Sequence, residues 1–267
     1  ERFALDNQLM TAQIDIESLR ADRRNNTTFV NAQRCIQAHN VRIIKTEDIV
    51  QRDFVLERTV DPRPFIPTHN NMEESCSEIL NIQVMGLARR LLHTHAATVV
   101  IGVSGGLDST LALLVCIKTF DKLKLNRKNI IGVTMPGFGT TGRTYNNAIR
   151  LMESLGITIK EINISKSVLQ HFEDIGHDVS VHDVTYENSQ ARERTQILMD
   201  LANKHNGLVV GTGDLSELAL GWATYNGDHM SMYAVNTAIP KTLIEYLVSY
   251  VARTVDSSSA ATLSDII

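Results

Sequence analysis

The sequence contains little cysteine and no cysteine pattern. Its 267 residues include three cysteines, Cys35, Cys76 and Cys116, an odd number with no close pair. This spacing excludes a disulfide framework and a zinc ribbon, because both need paired cysteines. Such cysteine usage is typical of a reducing compartment, so we expect a cytoplasmic protein.

The sequence also has little proline, no excess of positive charge and no long apolar run. Five prolines and 15 glycines are too few for a collagen-like or low-complexity chain. A net charge of −4 argues against nucleic acid or a membrane surface as a partner. The longest apolar run, Leu111 to Ile117, is far shorter than the roughly 20 residues of a membrane helix. Because Glu1 begins the sequence and no basic-then-apolar leader follows, we expect no signal peptide and a chain cut from a longer one.

The few prolines are concentrated in one place, which divides the chain. Three of them lie between residues 59 and 71, and proline removes backbone donors, so this segment is expected to be an extended linker. Before it, residues 1–58 contain short β-like pieces such as Val41 to Ile44 and a polar break from Asp22 to Thr28. We expect this first part to be a short partial segment that does not fold alone.

After the linker, helix-like and strand-like segments alternate. Short β-branched runs are typical of strands buried on both faces, and apolar positions at helical spacing indicate the segments between them. The predicted strands are 98–103, 129–135, 157–164 and 207–211, and the predicted helices are 72–95, 108–120, 143–155 and 184–205. This alternation predicts an α/β domain, a doubly wound parallel sheet flanked by helices.

The loop after the first predicted strand, Ser104-Gly-Gly-Leu-Asp-Ser-Thr110, has the composition of an anion cradle. In such sheets, ligands bind beyond the carboxyl ends of the strands. Gly105 and Gly106 let the backbone approach a ligand, and hydroxyls beside a helix start attract phosphate. The loop is neither G-x-x-x-x-G-K-[ST] nor G-x-G-x-x-G, which excludes a Walker loop and a dinucleotide fingerprint.

Asp108 creates a conflict in this loop, because a carboxylate beside a phosphate cradle repels the ligand. A divalent cation such as Mg²⁺ removes the repulsion, since it binds carboxylates together with phosphate oxygens. The alternative is that Asp108 only caps the helix. The residues alone leave both interpretations open.

The loop resembles the S-G-G-x-D-S pyrophosphate loop of the N-type ATP pyrophosphatases, whose fold is adenine nucleotide alpha hydrolase-like. The resemblance implies that ATP is a substrate, cut between its α and β phosphates while an acid or carbonyl oxygen is adenylated. Three further segments, 186–194, 211–228 and 235–241, resemble those of NAD synthetases. Residues 135–143 resemble the glutamine-dependent branch of that family rather than the small ammonia-only enzymes.

The N-terminal residues 3–20 resemble the tail of the nitrilase-like glutaminase domain that precedes the synthetase domain in that branch. The resemblance therefore implies that residues 1–58 are a remnant of the C-terminal end of a glutaminase domain and that 59–71 form the linker. Residues 72–267 would be the NAD synthetase domain, shortened at its C-terminus. The Cys-Glu-Lys catalytic set of the glutaminase is not expected within this sequence.

The reaction that the resemblance implies is the ATP-dependent amidation of deamido-NAD⁺ to NAD⁺ through an adenylated intermediate, with release of AMP and pyrophosphate. The nitrogen comes from glutamine in the full-length enzymes and from ammonia for a piece without the glutaminase site. Such a ligase aligns its substrates and needs no covalent nucleophile. A homodimer is implied too, and the apolar stripe from Ile79 to Leu92 offers one surface for it, unless the stripe packs on its own sheet.

Residue by residue, the resemblance implies three sets of contacts. Asp108 and Glu217 would hold Mg²⁺, and catalysis would depend most on Asp108 and Lys241. ATP would be bound by Gly102, Val103, Ser104, Gly105, Gly106, Leu107, Asp108, Ser109, Thr212 and Lys241. Deamido-NAD⁺ would be bound by Asn188, Arg192, Glu217, Trp222, Ala223, Thr224 and Tyr225.

Several of these residues also have a purely structural interpretation. Glu217 fits a capping box at a helix start, and Trp222 fits a core position. Arg192 and Arg194 fit solvated positions on a helix. Lys241 fits the first turn of a helix, although a cation there opposes the helix dipole.

Other functions also fit the residues. Another ATP pyrophosphatase, such as a GMP synthetase or a tRNA-modifying enzyme, shares the loop, although the acidic balance disfavours tRNA. A nucleotide-binding fragment without turnover is the alternative of a different class. A histidine metal site is disfavoured, because the spacings of His171, His177 and His182 do not suit one helical face and residues 174–183 are expected to be a loop.

Overall fold

The computed structural model describes residues 9–10, 12–35, 42–44, 55–56, 60–67, 71–138, 142–255 and 257–267. The chain forms two compact units, 1–62 and 63–267. The first contains two helices, α1 (Ile16–Asn25) and α2 (Thr27–Cys35). Asp15 and Asn26 precede them, and each side chain accepts a hydrogen bond from the backbone amide three residues further on. Both helices therefore begin at a side-chain cap.

These helices correct the prediction for the first part of the chain. The polar break at 22–28 contains the end of α1, the cap residue Asn26 and the start of α2. Asn is favoured at this position because its side chain accepts a hydrogen bond from a free backbone amide at the helix start. Residues 42–44 contain no strand, so the β-like interpretation is wrong there. Val41 lies outside the described residues.

The second unit is built on a five-stranded sheet in which all neighbouring strands are parallel. Its strands are β1 (Thr98–Gly102), β2 (Ile130–Thr134), β3 (Thr158–Glu161), β4 (Gly207–Gly211) and β5 (Tyr233–Ala234), in the order β3-β2-β1-β4-β5. The four predicted strands and the fold class are confirmed. β5 is not predicted, because two residues carry no periodic signal.

Helices flank this sheet. They are α3 (Met72–Thr94), α4 (Leu107–Leu123), α5 (Gly142–Ser154), α6 (Ser165–Ile175), α7 (Val184–Lys204), α8 (Leu215–Leu220), α9 (Lys241–Ala252) and α10 (Ser257–Ile266). The predicted helices correspond to α3, α4, α5 and α7. The structural interpretations of Glu217 and Lys241 implied helix starts, which are found in α8 and α9, while α6 and α10 are not predicted. The expected loop at 174–183 is correct except for its first two residues, which end α6.

β1 is buried on both faces, as its β-branched composition predicts. Val99 and Ile101 belong to a core cluster with side chains of α3, α4 and α9. Val100 faces the other layer, where Val133 and Val209 of the neighbouring strands pack with α7. Successive strand residues point to opposite faces, so the sheet separates two apolar layers.

The longest apolar run of the sequence lies in α4. Every residue from Leu111 to Ile117 is buried, and α4 packs against β1, β2, α3 and α9. The run therefore forms the core of this unit. Within the described residues, no helix combines the length and the apolar character needed to cross a membrane.

The order of the strands determines where a ligand can bind. The chain passes from β1 to β2 on one side, whereas β4 lies on the other side of β1. The loops that follow β1 and β4 therefore diverge, and a crevice opens beyond the carboxyl ends of these strands.

Two leucines of α3 test which face of this helix supports the fold. Leu87 is 0% exposed and Leu92 is 55% exposed. We expect Leu87→Ala to lower the free energy of unfolding by about 2–5 kcal/mol, because it leaves a cavity in the core. The matched change Leu92→Ala should alter it by less than about 0.5 kcal/mol. Urea unfolding followed by circular dichroism measures both, and equal losses would contradict the assigned core.

Candidate active site

The loop between β1 and α4 is held in shape by its own hydroxyls. Ser104 Oγ accepts a hydrogen bond from the Gly106 amide at 3.3 Å, and Ser109 Oγ donates to the Gly106 carbonyl at 3.1 Å. Gly105 has a φ of +86°, and a Cβ there would collide with the Thr144 carbonyl of α5. Both the left-handed backbone and the close approach require glycine.

The start of α4 is available to an anion. Its N-cap residue is Gly106, which provides no side-chain hydrogen bond to the first turn. Asp108 lies inside that turn, so the alternative that it caps the helix is wrong. Backbone amides at an uncapped helix start attract a negative ligand.

Three carboxylates meet beside this loop. The side-chain oxygens of Asp108, Asp214 and Glu217, hereafter the carboxylate cluster, lie within 4.8 Å of one another. Asp108 comes from α4 and the other two from the start of α8. Asp214 is fully buried, and the sequence did not predict it as a site residue.

Two members of the cluster also begin α8. The Asp214 carboxylate accepts from the Glu217 amide at 2.8 Å, and the Glu217 carboxylate accepts from the Asp214 amide at 3.3 Å. This reciprocal pair is a capping box, so the structural interpretation of Glu217 is confirmed. It does not exclude the ligand interpretation, because the same carboxylate belongs to the cluster.

Lys241 partly neutralises the cluster. It is the first residue of α9, and its Nζ pairs with Asp108 Oδ2 and lies 3.5 Å from Asp214 Oδ2. Burial, the largest single influence, lowers the pKa of Lys241, but the hydrogen bond to Asp108 and the three negative charges outweigh it and raise the pKa. The unfavourable position of a cation at a helix start is thus offset by the acids it faces.

The single positive charge of Lys241 does not balance the three carboxylates of the cluster. Asp108 Oδ1 and Asp214 Oδ2 are buried, and neither accepts a hydrogen bond from the described residues, although the Lys241 ammonium lies 3.5 Å from Asp214 Oδ2. Burial, followed by the charges of Asp214 and Asp108, raises the pKa of Glu217. Buried carboxylate oxygens without donors are costly unless a cation contacts them. The donor set fits a small divalent cation that prefers oxygen ligands.

The cluster opens into a cavity of about 380 Å³ beyond the ends of β1, β2 and β4. Its lining includes the predicted residues Gly102, Val103, Ser104, Asp108, Ser109, Thr212, Glu217 and Ala223. The apolar side chains of Val133, Met135, Leu198 and Val209 also line it. A cavity with acids and hydroxyls beside apolar walls suits a ligand that has both a charged and a flat apolar part.

Other predicted residues surround this cavity without lining it. The segment that leads into α4 also contains Gly105, Gly106 and Leu107. Lys241 contacts the cavity-lining side chain of Asp108. Of the residues predicted to bind the dinucleotide, Glu217 and Ala223 line the cavity, whereas Asn188, Arg192, Trp222, Thr224 and Tyr225 do not. Thr224 Oγ1 donates to Asn188 Oδ1 at 2.7 Å, and Arg192 Nε donates to the Tyr225 carbonyl at 3.2 Å.

Two aromatic side chains of this second group face solvent. Trp222 is 80% exposed and Tyr225 is 76% exposed. The alternative that Trp222 is a core residue is therefore wrong. Large exposed aromatic side chains beside a cavity are typical of a binding surface.

Arg194 lines the cavity, so the alternative that it is a solvated position on a helix is wrong. Its Nε donates to the Met135 carbonyl at 3.3 Å, and burial lowers the pKa of its guanidinium. One turn earlier on α7, Gln190 Oε1 accepts from the Phe138 amide at 3.2 Å. Both side chains hold the segment after β2 against the cavity. Gln190 and Arg194 are four residues apart, so they lie on the same face of α7, and this spacing was the signal in the sequence that could have paired them.

The histidines and cysteines that the sequence analysis singled out form no second cluster in the part of the chain that the structure describes. Within the residues that the structure describes, His171, His177 and His182 join no group of three metal-ligand side chains. Cys76 and Cys116 are free and buried, and burial raises the pKa of the Cys116 thiol to about 12. A thiol that stays protonated at neutral pH is not a nucleophile.

The parallel sheet, with its glycine- and hydroxyl-rich loop at the switch point, defines an α/β protein of the pyrophosphatase-loop class. The NAD synthase family model matches residues 79–257. The chain belongs to this family, as the loop and the three further segments predict.

Known proteins agree with this assignment. The glutamine-dependent NAD(+) synthetase of Mycobacterium bovis is 43% identical over 266 residues, which covers 94% of this chain and 38% of that protein. The chain thus spans a little over a third of the curated relatives it matches. A structure of glutamine-dependent NAD+ synthetase from Acinetobacter baumannii with ADP is 28% identical, with a TM-score of 0.65 and coverage of 71% of this chain and 36% of that one. NMN synthetase from Francisella tularensis is 25% identical, with a TM-score of 0.60 and coverage of 70% and 76%.

The raised pKa of Glu217 gives a prediction for the ligand-free protein. Above the ordinary glutamate pKa, ionisation of Glu217 in the cluster opposes folding, whereas below about pH 4 both folded and unfolded states are protonated. Glu217→Gln keeps the side-chain oxygen that accepts the capping hydrogen bond. It should therefore raise the free energy of unfolding at pH 7, and this gain in stability should disappear as the pH falls to 4. Urea unfolding at several pH values measures it. The exposed control Glu153→Gln should show no such gain, and a destabilised Glu217→Gln variant at pH 7 would refute the electrostatic account.

Proposed function

We propose that this chain carries out the synthetase reaction of NAD⁺ formation, the ATP-dependent amidation of deamido-NAD⁺ with release of AMP and pyrophosphate. The observation that supports it most directly is the meeting of the phosphate-binding loop and the carboxylate cluster at one cavity. An anion cradle beside buried acids suits a ligand that brings phosphates and a cation together. Family membership supports deamido-NAD⁺ as the acceptor.

ATP occupies the cavity in this proposal. The loop residues 104–109 and the start of α4 bind its phosphates, and Gly102, Val103 and Thr212 contact the nucleotide. The ADP named in the Acinetobacter baumannii relative supports an adenine nucleotide as ligand. The apolar walls at Met135 and Leu198 suit the adenine ring.

Mg²⁺ fits the carboxylate cluster. Asp108 and Glu217 hold it, and the buried Asp214 adds a third carboxylate. When bound, the ion neutralises phosphate charge and makes pyrophosphate a better leaving group. Lys241, which contacts Asp108 and Asp214, supplies a further positive charge to the phosphates.

The chemistry needs positioning rather than a nucleophile on the protein. A nicotinate carboxylate oxygen attacks the α phosphorus, pyrophosphate leaves, and ammonia then displaces AMP from the acyl carbon. The loop holds one anion, and the group formed by Asn188, Arg192 and residues 222–225 holds the other. Fixing two anions in line and offsetting their repulsion lowers the barrier of the first step.

The surrounding domain organisation is also part of the proposal. Residues 1–58 derive from the end of a glutaminase domain and 72–267 from the synthetase domain, joined by the linker 59–71. The names of the curated relatives, which match 94% of this chain, support glutamine as the nitrogen source of the longer protein.

We propose a cytoplasmic homodimer, for which the exposed Ile82, Met85 and Leu92 of α3 offer an apolar surface.

The first test is formation of NAD⁺ and pyrophosphate from ATP, Mg²⁺, deamido-NAD⁺ and ammonium. Asp108→Asn should lower the rate about a hundredfold or more, because it removes charge where the phosphates bind. Asp121→Asn, the same change at the exposed end of α4, should leave the rate within about twofold.

Rival functions give different results in the same assay. Nicotinate mononucleotide replaces deamido-NAD⁺ in one arm, because one structural neighbour is named an NMN synthetase. Preference for the mononucleotide, or for xanthosine monophosphate, would replace the proposed substrate. ATP binding without pyrophosphate release under any condition would establish a nucleotide-binding fragment without turnover.

Trp222 is expected to contribute to dinucleotide binding by stacking on an aromatic ring. Trp222→Ala should raise the KM for deamido-NAD⁺ about tenfold, since a stacked ring contributes roughly 1–1.5 kcal/mol. Its KM for ATP should stay the same. Leu220→Ala, at a neighbouring side chain that is 81% exposed, is the matched control. Equal effects of the two substitutions would argue against stacking.

A further inference from the structure

A buried amide connects the two loops that carry the carboxylate cluster. Asn236 follows β5 and is 0% exposed. Its Nδ2 donates to the carbonyl of Asp108 at 3.0 Å and to the carbonyl of Thr212 at 3.2 Å. Both hydrogens of one amide group are thus used, and each reaches a different loop.

The two carbonyls stand on opposite sides of the switch point. Asp108 lies in the first turn of α4, after β1, and Thr212 lies directly after β4, two residues before Asp214. The loops after these strands diverge, so the cluster forms only if the two loops are held close to each other. Asn236 therefore links the backbone of Asp108 to the backbone that leads into Asp214 and Glu217.

Gln83 of α3 fixes the orientation of this bridge. Its Nε2 donates to Asn236 Oδ1 at 3.1 Å and to the Val235 carbonyl at 2.9 Å. Because Gln83 presents a donor, the oxygen of Asn236 must face it and the NH₂ group must face the two loops. Leu80, Val84 and Leu87 of α3 are buried together with Gln83, so the donor projects from the packed face of this helix.

We propose that Asn236 is a positioning residue that sets the separation of Asp108 from Asp214 and Glu217, and that Gln83 acts through it. The inference rests on the proposed role of the cluster in holding a divalent cation. Mg²⁺ requires near-ideal geometry with ligands at about 2.0–2.1 Å, so a small change in the separation of the loops weakens binding. Residues behind the ligands typically change metal affinity 10- to 100-fold.

The experiment measures Mn²⁺ affinity and stability on the 267-residue chain. Electron paramagnetic resonance titration gives the Kd for Mn²⁺, and Asp108→Asn identifies the site by abolishing the titration. Asn236→Leu keeps the size but removes both donors and should weaken Mn²⁺ about tenfold or more. Gln83→Met should weaken it less, and the double variant should bind as Asn236→Leu alone does, because Gln83 acts through Asn236.

Thr119→Val separates positioning from general stability. Thr119 is buried between α4 and α3, and its hydroxyl donates to the carbonyls of Val115 and Val84, away from the cluster. We expect this variant to lose stability in urea, as Asn236→Leu does, while it keeps the wild-type Kd for Mn²⁺. A purely structural role for Asn236 predicts the same behaviour for both variants.

The outcomes distinguish this inference from the proposed function. Mn²⁺ binding that is lost in Asp108→Asn but unchanged in Asn236→Leu overturns the inference and leaves the function standing. If Asn236→Leu does not fold, the Kd of Gln83→Met decides, and a wild-type value overturns the inference. Absence of Mn²⁺ binding in the unmodified chain overturns both the inference and the proposed cation site.

Discussion

The constraint on which this site depends is electrostatic, because three carboxylates within 4.8 Å of one another repel unless positive charge lies among them. Lys241 supplies one such charge, and it does so from the start of a helix, where a cation is least favoured. The fold brings these groups together by placing the loops after β1 and β4 at its switch point. A site that is under-neutralised when empty has an intrinsic affinity for a cation and for the phosphates that accompany one.

Much of the fold follows from local pattern, and the omissions differ in kind. β1, β2 and β4 are short β-branched or glycine-bounded runs, and α4 contains a continuous apolar segment, so their type is evident from composition. α9 also carried a clear signal, since its buried residues Leu243, Ile244, Leu247, Val248 and Val251 have helical spacing. The capping pattern of α1 and α2 was visible as well, but it was interpreted as a polar break.

The candidate site was only partly accessible from the sequence. Asp108 and Glu217 come from recognisable motifs, whereas Asp214 looked like a helix cap, which it is, and nothing local indicates that it also faces Asp108. Asn236 meets Asp108 across 128 positions of sequence. Contacts of this kind arise from strand order, so no periodicity or motif predicts them.

The capping box of α8 connects the carboxylate cluster to Trp222. α8 has six residues, too few to persist as an independent helix, and its start is formed by the side chains of Asp214 and Glu217. The Trp222 amide donates to the Glu217 carbonyl at 2.9 Å, directly after the C-cap Gly221. One turn of backbone thus joins the acidic end of the cavity to the exposed indole. The same two side chains that belong to the carboxylate cluster also hold in place the peptide from which the exposed indole projects.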